Sequence, residues 1–260
     1  MNERARPSAP AWCHAFLFVV ILALFIPVIA MVVGSFYSEG ALTLKWYQAV
    51  FQDRTIIEAL YRSLMLGVFS SVVSTLLGLT AAISIQKSKL KWVWLIESFS
   101  VLSLVLPELV FALALLSWFV LIGFQLSLVT VIIAHVTFSL SFSLFIISSR
   151  LVQLDAAMDD AAQDLGATEL QTLLRVTIPL LKPAIGASLL ICFLLSFDDF
   201  LISYFVSGVG ADTLPIKLYS SMKMGHTPKL NALSSLMLFF SLGSLILLFR
   251  LKSIRRLVSK

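Results

Sequence analysis

Glu108, Asp198 and Asp199 are carboxylates set inside long apolar runs, and His135 lies within another. An ionised group near the centre of a bilayer costs from about 2.5 kcal/mol upward and usually faces a bundle interior or a wet pathway. Three such carboxylates together favour a path for something positively charged. Ser196, Asp199 and Ser203 share a helical face as a polar stripe, with Phe197, Phe200 and Tyr204 as an aromatic stripe beside it. Negative charge next to aromatic rings suits an organic cation, since charge pairing and cation–π attraction act together. Successive helical residues point about 100° apart, so Asp198 and Asp199 do not both face one way. Each aromatic taken singly is explained at least as well by packing, and His135 more readily by a hydrogen-bonded packing role.

A second group of acids belongs to a hydrophilic connection. Leu154, Met158, Ala161 and Leu165 recur at helical spacing, with Asp155, Asp159, Asp160 and Asp164 largely on the other sides. This pattern predicts a short amphipathic helix. Gly166 supplies a C-terminal stop. Thr168 and Gln171 then read as a capping box opening a second helix, which is expected to end before Pro179, with Pro183 in the first turn of the following span. A helical hairpin follows. An amphipathic helix lying on the membrane is the plainer reading, but such helices are rich in Lys and Arg, and four aspartates would be repelled by anionic lipid.

The elements that must position these residues follow from composition. The 260 residues are 59% hydrophobic and only 13% charged, with a net charge of +5, and the mean hydropathy is +0.99. A soluble domain is about 45–50% apolar and about 25% charged, so a water-soluble enzyme is excluded. The basic residues lie between apolar runs, which is not a nucleic-acid footprint. Cys13 and Cys192 share no metal-ligand spacing and imply no disulfide framework.

Six segments are long enough to cross about 30 Å of hydrocarbon: 15–37, 63–85, 98–122, 127–149, 184–206 and 232–249. The first is too long for a signal-peptide core and lacks a convincing cleavage site, so it reads as a retained anchor. The third contains Pro107 in an apolar run too long for one upright helix, and a kink or an interfacial start would each account for it. With both termini, 86–97 and 150–183 on the cytoplasmic side, thirteen Lys and Arg lie inside and six outside, so both termini are expected in the cytoplasm. Asp198 and Asp199 then lie roughly 22 Å from the inner end of span five, Glu108 roughly 15 Å from that of span three, and His135 roughly 12 Å from the outer end of span four. One cavity can hold all four if the helices pack side by side. No repeat at solenoid or propeller period is present, and residues 1–260 read as a single transmembrane domain.

Asp160-Ala161-Ala162, then Gly166, then Val176-Thr177-Ile178-Pro179, resembles the EAA loop of ABC-importer permeases, whose pattern is Glu-Ala-Ala, three residues, Gly, nine residues, Ile-x-Leu-Pro. The spacing matches throughout, with Asp for Glu at 160, Val for Ile at 176 and Ile for Leu at 178. The run from Ser196 through Phe200, Ser203 to Gly208 and Thr213-Leu214-Pro215 looks like the spermidine/putrescine permeases of that family. So do Pro107-Glu108, His135 to Phe138 and Asn231 to Ser234, although relatives commonly carry Asp where this chain has Glu108.

The resemblance implies an all-α membrane protein of six transmembrane helices with MetI-like ABC permease architecture, in a bacterial inner membrane. It implies a polyamine pathway through Glu108, Asp198, Asp199, His135 and Tyr204, and a coupling hairpin of Asp160, Ala161, Ala162, Gly166 and Pro179. Its implied partners are a second permease subunit in a heteromeric pair, two ATPase copies inside and a soluble substrate-binding protein outside. The chain has no G-x-x-x-x-G-K-[ST] phosphate loop, so a separate subunit would supply the nucleotide site. No cofactor or metal is implied.

Other readings stay open at this level. One is the same machine with another cation as cargo, such as iron(III), since carboxylates bind hard cations; an anion is hard to reconcile with three buried carboxylates. An ion-driven secondary carrier would suit the carboxylates, but the chain shows no inverted repeat. A membrane enzyme is weakest, because H-E-x-x-H and G-x-S-x-G are missing. In the 207–231 connection, Lys217, Lys223 and Lys229 are candidates for pairing with acids of a binding protein, or for plain solvation. Trp46 and Tyr47 fit an interfacial aromatic belt.

Overall fold

A computed structural model describes residues 11–38, 40–87, 92–155, 157–225 and 227–250. Part of the charge count used for orientation (Arg4, Arg6, Lys89, Lys91, Lys252, Arg255, Arg256 and Lys260) therefore lies outside the described residues. The chain runs α1 (Ala11–Ser35), a two-residue hairpin β1 (Tyr37–Ser38) and β2 (Ala41–Leu42), α2 (Lys45–Gln52), α3 (Arg54–Lys87), α4 (Val93–Val105), α5 (Glu108–Leu121) and α6 (Leu128–Leu151). Then come α7 (Ala157–Asp164), α8 (Glu169–Thr172), a π-helical turn (Leu173–Thr177), α9 (Ile178–Phe197), α10 (Leu201–Val206), α11 (Leu214–Lys223) and α12 (Pro228–Arg250). Among the described residues, five helical stretches are long and apolar enough to cross a membrane: Trp12–Ser35, Arg54–Lys87, Leu128–Leu151, Glu169–Phe197 and Pro228–Leu247. Helix α5 is a shorter apolar helix.

At the centre, α3, α6 and α9 pack on one another. Lipid tails are as apolar as leucine, so membrane helices associate through close packing and hydrogen bonds, which favours small side chains at their contacts. Ser70 donates to Ser196 at 2.8 Å, Thr75 meets Ser188 at 3.0 Å, and Ser188 donates to Ser143 at 2.8 Å. Gly78 faces Ser143 and Gly67 lies under the Phe193 ring, both so closely that a Cβ would collide. Helices α5 and α10 close one end through a core of Leu66, Phe111, Ala112, Phe119, Val131, Ala134, Ile202 and Val206. Helix α12 joins α2 and α9 through Val50, Phe197, Ala232 and Leu233. Helix α1 leans on α12, where Gly34 abuts Asn231.

The 98–122 segment is two helices parted at Pro107, in line with the kink the sequence offered there, since proline has no N–H to continue a helix and disfavours helical backbone in the residue before it. Other expectations about continuity need correction. The 184–206 segment is also broken, between Phe197 and Leu201. The helix opened by Thr168 does not stop before Pro179. It passes through the π turn into α9, where Pro179 occupies the first turn. The Ile178 N–H reaches back five residues to the Leu173 carbonyl, and this wider turn leads into a residue with no donor. Pro183 consequently lies inside α9 rather than in its first turn. Helix α3 begins at Arg54, nine residues before the 63–85 segment, because Asp53 accepts the Thr55 N–H at 3.0 Å and caps it.

Candidate functional site

The break in α9–α10 creates the site. Helix α9 ends with Asp198 as its C-cap, and Phe200 is the N-cap of α10. The first N–H groups of α10 have no partner within the helix. Asp199 supplies one: Oδ1 accepts from the Ile202 N–H at 3.2 Å and Oδ2 from the Ser203 N–H at 2.8 Å. The same Oδ2 lies 3.1 Å from Nε2 of His135 on α6, with both side chains almost fully buried. A carboxylate can only accept here, so Nε2 carries the ring proton in neutral His135. Nδ1 then accepts from the Ser196 hydroxyl at 2.6 Å, and Ser203 Oγ lies 3.0 Å from Nε2.

Asp198 points elsewhere. It is exposed and accepts one hydrogen bond from the Ser241 hydroxyl of α12 at 2.7 Å. Glu108, the first residue of α5, is half-buried, and its carboxyl neighbours that of Asp199. An open cavity of about 480 Å³ brings the three carboxylates together. Phe138, Leu194, Leu195, Phe200 and Leu201 form the rest of its lining. Asp199 contributes to this wall while its oxygens are already engaged with α10 and His135. Asp198 and Glu108 are the carboxylates best placed to meet a cation, with Phe138 and Phe200 offering ring faces beside them.

Of the other expected pathway residues, His135 is 2% exposed and stands behind Asp199. Tyr204 lies outside the cavity lining, in a cluster with Phe200 at 5.2 Å and Tyr219 at 5.9 Å between ring centroids; Phe200 and Tyr219 are 4.6 Å apart. The aromatic stripe is corrected accordingly. Phe197 turns away into the α12 core and stacks on Phe193, because the helix break removes the continuous periodicity the stripe assumed. Tyr219 takes its place. Thr213-Leu214-Pro215 is a helix-opening pattern with Pro in the first turn, and reading it as such would have put Tyr219 on a helix.

The acidic connection folds as a hairpin. Helix α7 is shorter than the apolar spacing predicts, since Leu154 and Leu165 flank it. The reason is local: Leu154 packs beneath α6 against the Leu144–Leu181 cluster, and Gly166 ends the helix at φ +87°. Asp160, Ala161 and Gly166 are exposed, and Leu165 is 90% exposed. Thr168 and Gln171 form the expected reciprocal cap at 3.3 and 3.0 Å. The Thr177 hydroxyl donates to Asp159 at 3.2 Å and fastens α7 to the π turn. Pro179 follows at the start of α9, beyond the exposed tip.

Outside the cavity, Lys229 is taken by Asp53 at 2.7 Å. That ammonium and the Thr55 donors hold the Asp53 carboxyl well below the usual carboxylate range. Lys223 rests over the Tyr219 ring at 4.6 Å. Trp46 donates to the Tyr37 carbonyl of β1 at 3.0 Å and the Tyr47 hydroxyl meets Ser35 at 2.7 Å, so they tie α2 to β1 and to the end of α1.

Residues 74–260 match the family described as binding-protein-dependent transport system inner membrane component. The spermidine/putrescine transport system permease protein PotC of Haemophilus influenzae is 34% identical over 240 residues, covering 90% of this chain and 93% of that protein. The putrescine transport system permease protein PotI of Escherichia coli is 33% identical over 255 residues, covering 92% and 89%. Among solved structures, a bacterial ABC transporter involved in import of the acidic polysaccharide alginate aligns with a TM-score of 0.72 at 16% identity over 96% of both chains. The methionine ABC transporter MetNI in inward-facing form aligns with a TM-score of 0.62 at 16% identity, over 80% of this chain and 97% of that one. The chain belongs to the binding-protein-dependent transport system inner membrane components, the multi-pass permease subunits of ABC importers.

Proposed function

We propose that this permease forms half of a translocation pore for linear polyamines such as spermidine and putrescine. The observation that carries the reading is the cavity in which Asp198 and Glu108 stand beside Phe138 and Phe200. A polyamine offers ammonium groups joined by methylenes, so charge pairing and ring faces act on one chain. The names of the relatives PotC and PotI point the same way, whereas the alginate transporter shares only the fold. The substrate therefore has to be argued from the cavity.

Residues 1–260 act as one transmembrane domain with both termini in the cytoplasm, crossing six times if α4–α5 and α9–α10 each count once. Its partners are a second, non-identical permease, a pair of ATPase subunits and an extracytoplasmic binding protein. The ATPase chemistry belongs to the partner. The exposed hairpin of Asp160, Ala161, Ala162 and Gly166 docks on it, and Pro179, where the hairpin's returning helix enters α9, fixes the direction in which that motion reaches the pore. A bonded hairpin moves as a body, and α9 runs unbroken from its π turn to Asp198. A push on the hairpin is thus carried along one helix to the cavity, where alternating access exposes weak carboxylate contacts first to one side and then to the other.

The test is uptake of labelled spermidine and putrescine by proteoliposomes holding the complete transporter, with ATP on the ATPase side. ATP-dependent uptake supports the reading. ATP hydrolysis stimulated by the binding protein without polyamine entry removes polyamine and leaves the permease class, with iron(III) the next cation to try. Uptake that needs a proton gradient instead overturns the ATP-driven mechanism.

A further inference from the structure

We infer that His135 is a positioning residue that fastens the two halves of the broken helix and thereby sets where Asp198 stands. The inference rests on the pore reading of the cavity, but its geometry is independent of the substrate. At the break, Asp199 satisfies N–H groups of α10, while the bond made by the Asp198 N–H runs back into α9, to the Leu194 carbonyl. Neither joins one helix to the other. The imidazole does so from a third element: Nδ1 is bonded to Ser196 on α9, and Nε2 faces Asp199 and Ser203 on the α10 side. A ring fixes the separation of its two nitrogens, so the two helix ends are held at a set distance and angle.

The anchor is firm. Helix α6 runs unbroken from Leu128 to Leu151, opens with a reciprocal cap between Ser127 and Thr130, and lies in the central bundle. Ser196 is itself bonded from Ser70 on α3. His135 is buried and does not line the cavity, so it acts through Asp198 and Asp199 rather than on substrate. Asp198 is the residue between the fastened Ser196–Phe197 end and the fastened Asp199, and its other restraint is the Ser241 hydroxyl on α12. Letting go of either end of the ring frees Asp198 to swing with the break.

The experiment uses the assembled transporter with Cys13→Ser and Cys192→Ala, partner cysteines replaced likewise, and Asp198→Cys as a reporter of position. The rate at which a cationic methanethiosulfonate modifies the reporter thiol is measured with His135, His135→Asn and His135→Gln. Asparagine reproduces the Nδ1 end of the ring and glutamine the Nε2 end. Because either end frees Asp198, both variants are expected to change the rate: about tenfold for His135→Asn, which gives up the hydrogen bond to a charged group, and about threefold for His135→Gln, which keeps the Asp199 link but gives up Ser196. A control thiol, Ser220→Cys on α11, stays unchanged, which separates loss of position from general loosening.

If His135→Asn does not assemble, Ser196→Ala releases the Nδ1 end of the ring and is expected to shift the reporter rate about threefold, whereas Ser203→Ala, which leaves Nε2 on Asp199, is expected to shift it less. An unchanged rate in the assembled variants overturns the inference, as does an equal change at the α11 control. Because the readout needs no substrate, failure to transport polyamine leaves this result standing, and the reverse also holds.

Discussion

Two adjacent aspartates have been given different work by a three-residue break between helices. Asp199 is turned inward to three donors, and Asp198 outward to a single hydroxyl and the cavity. Asp198→Asn keeps the shape and removes the charge, so ATP-dependent polyamine uptake is expected to fall about tenfold or more while the complex still assembles. Asp199→Asn exchanges a buried, fully bonded carboxylate for an amide with one acceptor, and is expected to cost about 3 kcal/mol of stability, seen as a lower unfolding temperature of the purified complex. Equal losses of stability in the two variants would contradict this division. The sequence showed both residues as intramembrane acids and implied that they face different ways, but it ranked them together. What separates them is the end of α9, and Ser196-Phe197-Asp198-Asp199-Phe200 carries neither Pro nor Gly to announce one.

At the scale of elements, breaks with a chemical mark were readable and those without were not. Pro107 marked its own break, Gly166 its turn, and Thr168 with Gln171 its cap. The π turn before Pro179 was not visible, because it lets a helix continue where proline ordinarily ends one. The hairpin gives a prediction at this scale. Gly166 has φ +87°, a left-handed conformation that costs an L-residue about 1–2 kcal/mol. Gly166→Val is expected to tilt α7 against α8, leaving the binding protein docked while ATP hydrolysis no longer drives uptake. Parallel assays of ATPase activity and transport measure this, and normal coupling would refute it. Helix packing offers another. A Cβ at Gly208 would collide with the Leu126 carbonyl, so Gly208→Ala is expected to destabilise the α5–α6 connection by about 1–3 kcal/mol, read as a lower melting temperature.

For the molecule as a whole, a membrane chain announces its spans and hides its interior, since the surfaces facing lipid and those facing other helices are both apolar. The small polar residues along α3, α6 and α9 were the available clue to which faces meet, and Ser70, Ser143 and Ser188 do lie there. One long-range ion pair joins Asp53 at the start of α3 to Lys229 at the start of α12. The ammonium lowers the Asp53 carboxyl below its ordinary value, so the pair adds stability above about pH 4 and loses it as pH falls below that. Asp53→Asn is expected to lower stability by about 1 kcal/mol at pH 7, with the gap to the native chain narrowing in acid. A gap independent of pH in thermal melts would assign the loss to the missing cap instead.

The pairing of α1 with α12 sets a timetable for synthesis. Helix α1 is clothed in apolar side chains, with Phe16, Phe18, Leu24 and Phe25 all more than half exposed, and it leans on the helix that begins at Pro228. That helix leaves the ribosome roughly 190 residues later, which at about 5–20 residues per second is about 10–40 s. Through that interval α1 must wait in lipid without its mate, and a helix greasy on every side is suited to waiting. The central trio of α3, α6 and α9 lies wholly upstream of α12 in the chain, so its serine contacts are free to form in that interval, whereas Asp198 gains its Ser241 partner only with α12.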